Sequence, residues 1–346
     1  MHAASIVIVT PALADANNGN WRTAQRWARM LAPAHRVTLV AQWTGAAGST
    51  GADATVMVAL HARRSAASIA AWKRLRPDAP LLLALTGTDL YRDIDSDATA
   101  QRSLELADAL VVLNELGARR LPPGLRARCH VVLQSCSARV PDRRAGGHLR
   151  VLAVGHLREE KDPATLMRAA KRLRERTDIR IDHIGRALDD SLREQAVATA
   201  ADCPSYRWLG ERTHEDTRKR MQRAHVLVHP SRMEGGAHAV IEALRSGMAV
   251  LASRVDGNLG LLGRDWPGAF DAGDDAALAR LLGRVRDEAG FLELLQRRAG
   301  QRAALFSPQA EQNALVLAVQ AAIQAAAPSG VSRSGKPTAS SPSRGR

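Results

Sequence analysis

At 346 residues, 45% of them hydrophobic, the chain is long enough for two domains with separate cores. Aromatic residues make up only 3%, so Ala, Leu and Val must fill those cores, and stacking platforms for single-stranded nucleic acid are scarce. The formal net charge is +14, yet its arginines are spread without a dense basic run, and no apolar stretch approaches the ~20 residues of a membrane span; neither a nucleic-acid-binding nor a membrane-spanning protein is expected.

The chain runs straight into the strand-like Ser5-Ile-Val-Ile-Val-Thr10, with no signal peptide evident. Cys129, Cys136 and Cys203 are odd in number and lack metal-ligand spacing, which argues for a reducing, cytoplasmic setting. After the first strand, Asn18-Gly19-Asn20 forms a turn. Asn20 is the expected N-cap of a helix over 21–31, with Arg22 close by. Further strands are expected at 36–40, 55–60, 81–85, 110–113 and 130–133, and helices at 65–75, 98–107 and 115–120. Strands alternating with helices predict a parallel α/β sheet, whose ligands bind beyond the carboxyl ends of the strands. Those ends carry His61-Ala-Arg63-Arg64 and Thr86-Gly-Thr88, with Arg92 shortly after. Together with Asn20 and Arg22 they form a candidate anion-binding cluster.

The polar, irregular stretch Gln134–His148 reads as a linker. The alternation then restarts, with strands at 150–154, 179–184, 206–209, 224–228 and 249–253 and helices at 163–174, 188–200 and 215–223. Gly155-His156-Leu-Arg158-Glu-Glu-Lys161 leads into a helix with Asp162 as N-cap and Pro163 at its first position. Lys161 therefore lies beside a helix N-terminus, a place to hold a phosphate. In His229–Gly247, Ala237, Val240, Ile241 and Leu244 fall on one helical face, and Gly247 stops the helix. Gly235 and Gly236 permit close approach of a ligand to the backbone, leaving Glu234 and Glu242 to accept hydrogen bonds from sugar hydroxyls. An ordinary crossover helix with surface glutamates fits the same pattern. From Asp274 the chain is helical to about Ala327, and 328–346 is Ser/Gly/Pro/Arg-rich and expected to be disordered. The expected organisation is a first domain over 1–135, a second over 136–310, and a helix over 311–327 packing back on the first.

Two Rossmann-like halves with a final helical segment resemble the GT-B fold of nucleotide-sugar glycosyltransferases, two domains with a cleft between them. Glu234 and Glu242 match the E-x7-E pattern of the retaining family-4 enzymes. The Gly155–Lys161 corner is similar to that family's G-R-x4-K segment, and Asn18-Gly19 sits where the family has an N-terminal glycine loop. The resemblance covers about residues 1–327. It implies a UDP-sugar on the second domain, with Lys161, Arg158, His156 and Glu234 around the reacting centre and Gly155, Gly235, Gly236, Ala237, His238 and Glu242 holding the donor. It assigns the acceptor to Asn18, Gly19, Asn20, Arg22, His61, Arg63, Arg64, Thr86 and Thr88. No metal or other cofactor is expected, since the Asp93-Ile-Asp95 pair lies in the acceptor half.

A narrower likeness is carried by 17–23, 60–66, 85–94, 231–237 and 255–263, which resemble the bacterial selenosugar synthases of selenoneine biosynthesis. That likeness implies transfer of N-acetylglucosamine, or glucose, from UDP to the selenium of selenophosphate. It also implies functional coupling to a selenophosphate-producing enzyme, with neither nucleic acid nor membrane as partner. Two residues depart from the general family pattern. His156 stands where an Arg is usual, and Thr86 replaces a His, leaving room for a small anionic acceptor. The competing expectation is an ordinary family-4 enzyme acting on a sugar, a lipid phosphate or a membrane-bound acceptor.

Overall fold

The computed structural model describes residues 3–11, 19–142 and 146–327; Asn18 and the segment 328–346 lie outside the described residues. The first half comprises β1 (Ser5–Val9), α1 (Gly19–Leu31), β2 (Arg36–Val40), β3 (Val56–Leu60), α2 (Ala66–Leu75), β4 (Leu81–Leu85), α3 (Ile94–Ser96), α4 (Ala98–Leu106), β5 (Ala109–Val112) and β6 (Cys129–Val131). These strands form one parallel sheet in the order β2-β1-β3-β4-β5-β6. Every residue of β3 and β4 is buried, as in a parallel strand covered by helices on both faces. With few aromatics to hand, one core is keyed by an edge-to-face pair, Trp43 and Trp72, with ring centroids 4.8 Å apart.

The second half comprises β7 (Leu149–Val154), α5 (Pro163–Arg172), β8 (Ile179–Ile184), α6 (Asp190–Asp202), β9 (Tyr206–Trp208), α7 (His214–Arg223), β10 (Val226–His229), α8 (His238–Leu244), β11 (Ala249–Ser253), α9 (Asp256–Leu262), β12 (Ala269–Phe270), α10 (Asp275–Asp287), α11 (Ala289–Ala303) and α12 (Pro308–Ala326). Its sheet is also parallel, ordered β12-β11-β10-β7-β8-β9. All four apolar positions that spacing assigns to one face of α8 are buried. Gly247 ends the helix at φ +63°, with the Met248 and Gly247 N–H groups bonded to the Ala243 and Leu244 carbonyls.

The last helix crosses back. Leu315, Ala318, Val319 and Ala322 of α12 share a core with Ile6, Ile8 and Trp27. Buried Glu311 fixes that crossing, accepting from Trp27 Nε1 at 2.8 Å, Arg26 Nε at 2.8 Å and the Ser135 N–H at 2.7 Å. No helix among the described residues is long and apolar enough to cross a membrane.

Three local expectations change. α1 begins at Gly19, so Asn20 sits inside its first turn rather than capping it; Thr23 Oγ1 instead bonds back to the Gly19 carbonyl. The helix expected at 115–120 is a short 3-10 turn, Gly117–Arg120. Asp162 occupies the N-cap position of α5 at φ 43°, but its carboxylate accepts from the Thr165 hydroxyl at 2.8 Å, not from a backbone N–H.

Candidate active site

Parallel order gathers the loops after β3 and β4 at one edge of the first sheet, and those after β7, β8, β10 and β11 at one edge of the second. The two edges meet. Asn114, just after β5, donates through Nδ2 to the Gly235 carbonyl at 2.7 Å. A Cβ on Gly235 would stand 2.2 Å from the Thr86 carbonyl oxygen, and one on Gly236 2.9 Å from Leu113 Cβ. The close approach these glycines permit is thus made by the first domain, not left open for a ligand. Glu160 adds a charged link, 3.6 Å from Arg92 across the same seam.

The second-domain loops converge on Glu234. Lys161 lies back over Gly155, where a side chain would touch it at 3.6 Å, and its Nζ donates to Glu234 Oε1 at 2.5 Å. His229, the last residue of β10, donates through Nε2 to the same oxygen at 2.9 Å. Burial alone would raise the Glu234 pKa, but Lys161 and His229 outweigh it and hold the carboxyl well below the usual range. Glu242, buried on α8, is gripped likewise: His214 Nε2 lies at 2.5 Å, His238 Nδ1 at 3.3 Å and Arg218 Nη1 at 3.8 Å. Its carboxyl is also held low, the two histidines overcoming its burial. The expected free carboxylates are both already paired with basic side chains. His238 further reaches the linker, with Nε2 3.3 Å from the Ser135 carbonyl oxygen.

Two more groups flank Lys161. His156 accepts the Arg186 N–H on Nδ1 at 3.1 Å. Burial and the nearby Arg158, Lys161 and Arg186 lower its pKa, so it is neutral at pH 7. Arg158 is half-exposed, with Glu160 3.8 Å from its Nε. Beneath them, His183 on β8 is fully enclosed, between the Tyr206 hydroxyl at 3.0 Å and the Gly155 carbonyl at 3.3 Å. α8 is only seven residues long, so its dipole adds little and the side-chain cations dominate.

In the first domain, Asp89 ties two strand ends together. It accepts from the Thr86 and Gly87 N–H groups at 2.9 Å and from the Ala62 N–H at 3.0 Å. His61 follows β3 at φ 74°, a strained conformation for a non-glycine residue, and its Nε2 meets Thr88 Oγ1 at 3.1 Å. Burial lowers its pKa against the partial opposition of Asp89, leaving it neutral. Arg63 and Arg92 share one carboxylate, Asp93, at 2.9 and 3.2 Å. Arg64 and Gly19 are exposed; Arg22 lies on the exposed side of the first turn of α1 and Asn20 is half-buried there. Asp95 turns away from Asp93 to Arg120.

His229, Asp89, Asp93, His214, His183 and Asn114 carry no role in the sequence-based assignment. His229 had a usable signal, since it closes an apolar strand at the edge where parallel sheets bind ligands. Asp89, three residues after Thr86, had the spacing of a side chain folding back on its own turn. The others depend on loops far apart in sequence.

Residues 139–303 match the family model described as glycosyl transferases group 1. No curated protein matches the chain in sequence. Among solved structures, HepE of Anabaena in complex with UDP and glucose is similar at 12% identity and a TM-score of 0.72, over 92% of this chain and 99% of that one. Sucrose-phosphate synthase from Thermosynechococcus elongatus is similar at 15% identity and a TM-score of 0.73, over 92% and 98%. A TarM mutant of S. aureus, solved with Fondaparinux, alpha-GlcNAc-glycerol and UDP, is similar at 11% identity and a TM-score of 0.62; this chain covers about half of it, 55%. At these identities the structural matches establish the fold, which is GT-B.

Proposed function

From a GT-B fold whose second domain matches the group 1 glycosyl transferases, we propose that the chain transfers a sugar from a UDP donor. We propose further that the sugar is N-acetylglucosamine and that the acceptor is selenophosphate. One observation carries the reading. Glu160 meets Arg92 at 3.6 Å, which brings the loop that carries Lys161 at one sheet edge against the loop that carries Arg92 at the other. UDP-bound relatives of the same fold support the donor.

In this scheme Lys161 and Arg158 face the diphosphate. His156 is neutral and contributes a hydrogen bond at most, so Arg158 supplies the charge usually provided one residue after the glycine. Glu242 accepts from the ribose and Glu234 from the sugar. Arg22, Arg63, Arg64, Asn20 and Thr88 face the acceptor, and Arg63 can exchange Asp93 for it. The tight fit of Gly235 against Thr86 leaves little room there, which suits a small anion better than a lipid or polysaccharide.

The selenium lone pair forms the C–Se bond at C1 as the C1–O bond breaks, and UDP leaves with the electron pair. Attack of water on phosphorus then cleaves P–Se and releases phosphate with the 1-seleno-sugar. The nucleophile is already anionic, so no strong base is required, and neutral, buried His61 acts in positioning. Catalysis rests on orientation and on stabilising the charge that builds on UDP.

The test is mass spectrometry of products from a panel of UDP-sugars offered with selenophosphate, thiophosphate and phosphate. A selenium-containing glycoside from UDP-N-acetylglucosamine is expected. Absence of a selenium-containing product with every donor would overturn the narrow reading in favour of an ordinary family-4 activity.

A further inference from the structure

Lys161 and His229 hold the same carboxylate oxygen of Glu234, at 2.5 and 2.9 Å. The two tethers differ physically. Lys161 rides a loop between β7 and α5 on a flexible four-carbon stem, with about a fifth of its side chain exposed. His229 is a rigid imidazole closing a fully buried strand, itself 2% exposed. A diphosphate arriving beside Lys161 is a second, more highly charged claimant on that ammonium. Glu234 cannot leave, because it is buried and its own carbonyl is pressed against Gly257, where a Cβ would stand 1.8 Å away.

Building on the donor reading above, we propose that Glu234 serves as an internal stand-in for the donor diphosphate, and that His229 is the positioning residue that keeps it in place once Lys161 turns to the phosphates. Donor binding is then an exchange. Lys161 releases Glu234 and takes the diphosphate; Glu234, retained by His229, presents its freed lone pairs to the sugar hydroxyls. Once Lys161 turns to the diphosphate, the lone pairs it held on Oε1 join those of Oε2 as acceptors for the sugar. The site thereby couples recognition of the two ends of the donor.

The experiment is calorimetric titration of UDP into the full-length wild type, E234Q, K161A and the E234Q/K161A double variant, with melting curves to confirm folding. Removing the competing carboxylate frees Lys161, so E234Q should bind UDP about tenfold tighter than wild type, the scale of one charge-assisted hydrogen bond regained. The same substitution in the K161A background should change affinity less than about twofold, the signature of coupling through the pair. An equal gain in both backgrounds would mean simple repulsion of phosphate by Glu234 and would overturn the exchange, as would unchanged or weaker binding by E234Q. A wild type that binds no UDP would instead remove the donor reading itself. For His229, H229A should leave the KM for donor within about twofold while lowering kcat about thirtyfold or more, since the loss falls on the sugar end alone. H229Q, whose amide N–H reaches the position of Nε2, should recover part of that kcat. Equal damage to KM and kcat, or no rescue by glutamine over alanine, would reduce His229 to a structural residue.

Discussion

Replacing Gly235 by Ala tests whether the seam between the domains has to be closed for activity. Gly235 does not lie in the left-handed region of backbone space, so alanine is not strained by its own dihedrals there. The obstacle is contact. The added methyl would lie 2.2 Å from the Thr86 oxygen, 2.5 Å from the Thr86 carbonyl carbon and 2.7 Å from the Gly87 nitrogen, all of them backbone. Thr86 and Gly87 cannot yield by a rotamer change, because Asp89 holds both of their N–H groups at 2.9 Å. The loops must separate by about 1 Å, which at overpacking costs of ~1–3 kcal/mol already disfavours the closed form. Separation also strains the 2.7 Å bond from Asn114 to the Gly235 carbonyl, for roughly 1 kcal/mol more. A total of about 2–4 kcal/mol lowers the closed population, and with it turnover, some thirty- to thousandfold if closure is needed for transfer. Each domain keeps its own core, so melting temperature should fall little. Steady-state transfer rates and small-angle scattering on the same sample are the assay. Gly124→Ala, where nothing lies within 4 Å of the new methyl, is the control. Wild-type turnover in G235A, at an unchanged radius of gyration, would refute the claim that the two loops meet during catalysis.

Three further outcomes are expected. K161A should lower turnover about ten- to a hundredfold, the ~1.5–3 kcal/mol of one charged hydrogen bond to phosphate, with the melting curve retained. Fully enclosed His183, its pKa pulled down to about 4 by burial, stays neutral while an unfolded histidine takes up a proton near 6.5. The unfolded state therefore binds more protons between these values, and stability should fall by about 3 kcal/mol as pH drops from 6.5 to 4, a slope that denaturant titrations should find missing in H183Q. Glu311→Ala strips a buried carboxylate from the Trp27, Arg26 and Ser135 donors and should cost about 3–5 kcal/mol in urea melts, loosening α12 from the first domain; a loss under 1 kcal/mol would show that apolar packing alone holds that helix.

The sheets were readable because their strands are short, wholly apolar runs such as Leu81–Leu85, bounded by polar loops, and burial on both faces leaves no other use for such runs. α9 was not readable. Its sequence, Asp-Gly-Asn-Leu-Gly-Leu-Leu, contains two glycines that disfavour a helix in isolation. The structure explains them by contact: a Cβ on Gly257 would meet the Glu234 carbonyl, and one on Gly260 would stand 2.4 Å from Asn114 Oδ1. Tertiary packing there requires glycine at the expense of local propensity. The positions of Lys161, Glu234 and Glu242 were legible from motif spacing. Their partners were not, because His229, His214 and Asp93 acquire roles only when separate loops fold onto one edge.

Those partners change how the cleft works electrically. In the sequence, Arg22, Arg63, Arg64 and Arg92 read as a candidate anion-binding cluster. Among the described residues, two of those cations and Lys161 are already held. Lys161 holds Glu234, Arg63 and Arg92 share Asp93, and Arg92 also reaches Glu160 across the seam. On the donor reading proposed above, a ligand's phosphate does not simply add to a positive field; it displaces a carboxylate that already occupies the position. Such a site is selective by difference. A group that replaces the carboxylate with equal charge and geometry gains little, and one carrying more charge, as a diphosphate or a phosphorus oxyanion does, gains more. Of the arginines at the two sheet edges, Arg63 and Arg92 are thus matched to carboxylates that, on that reading, set the threshold a ligand must exceed.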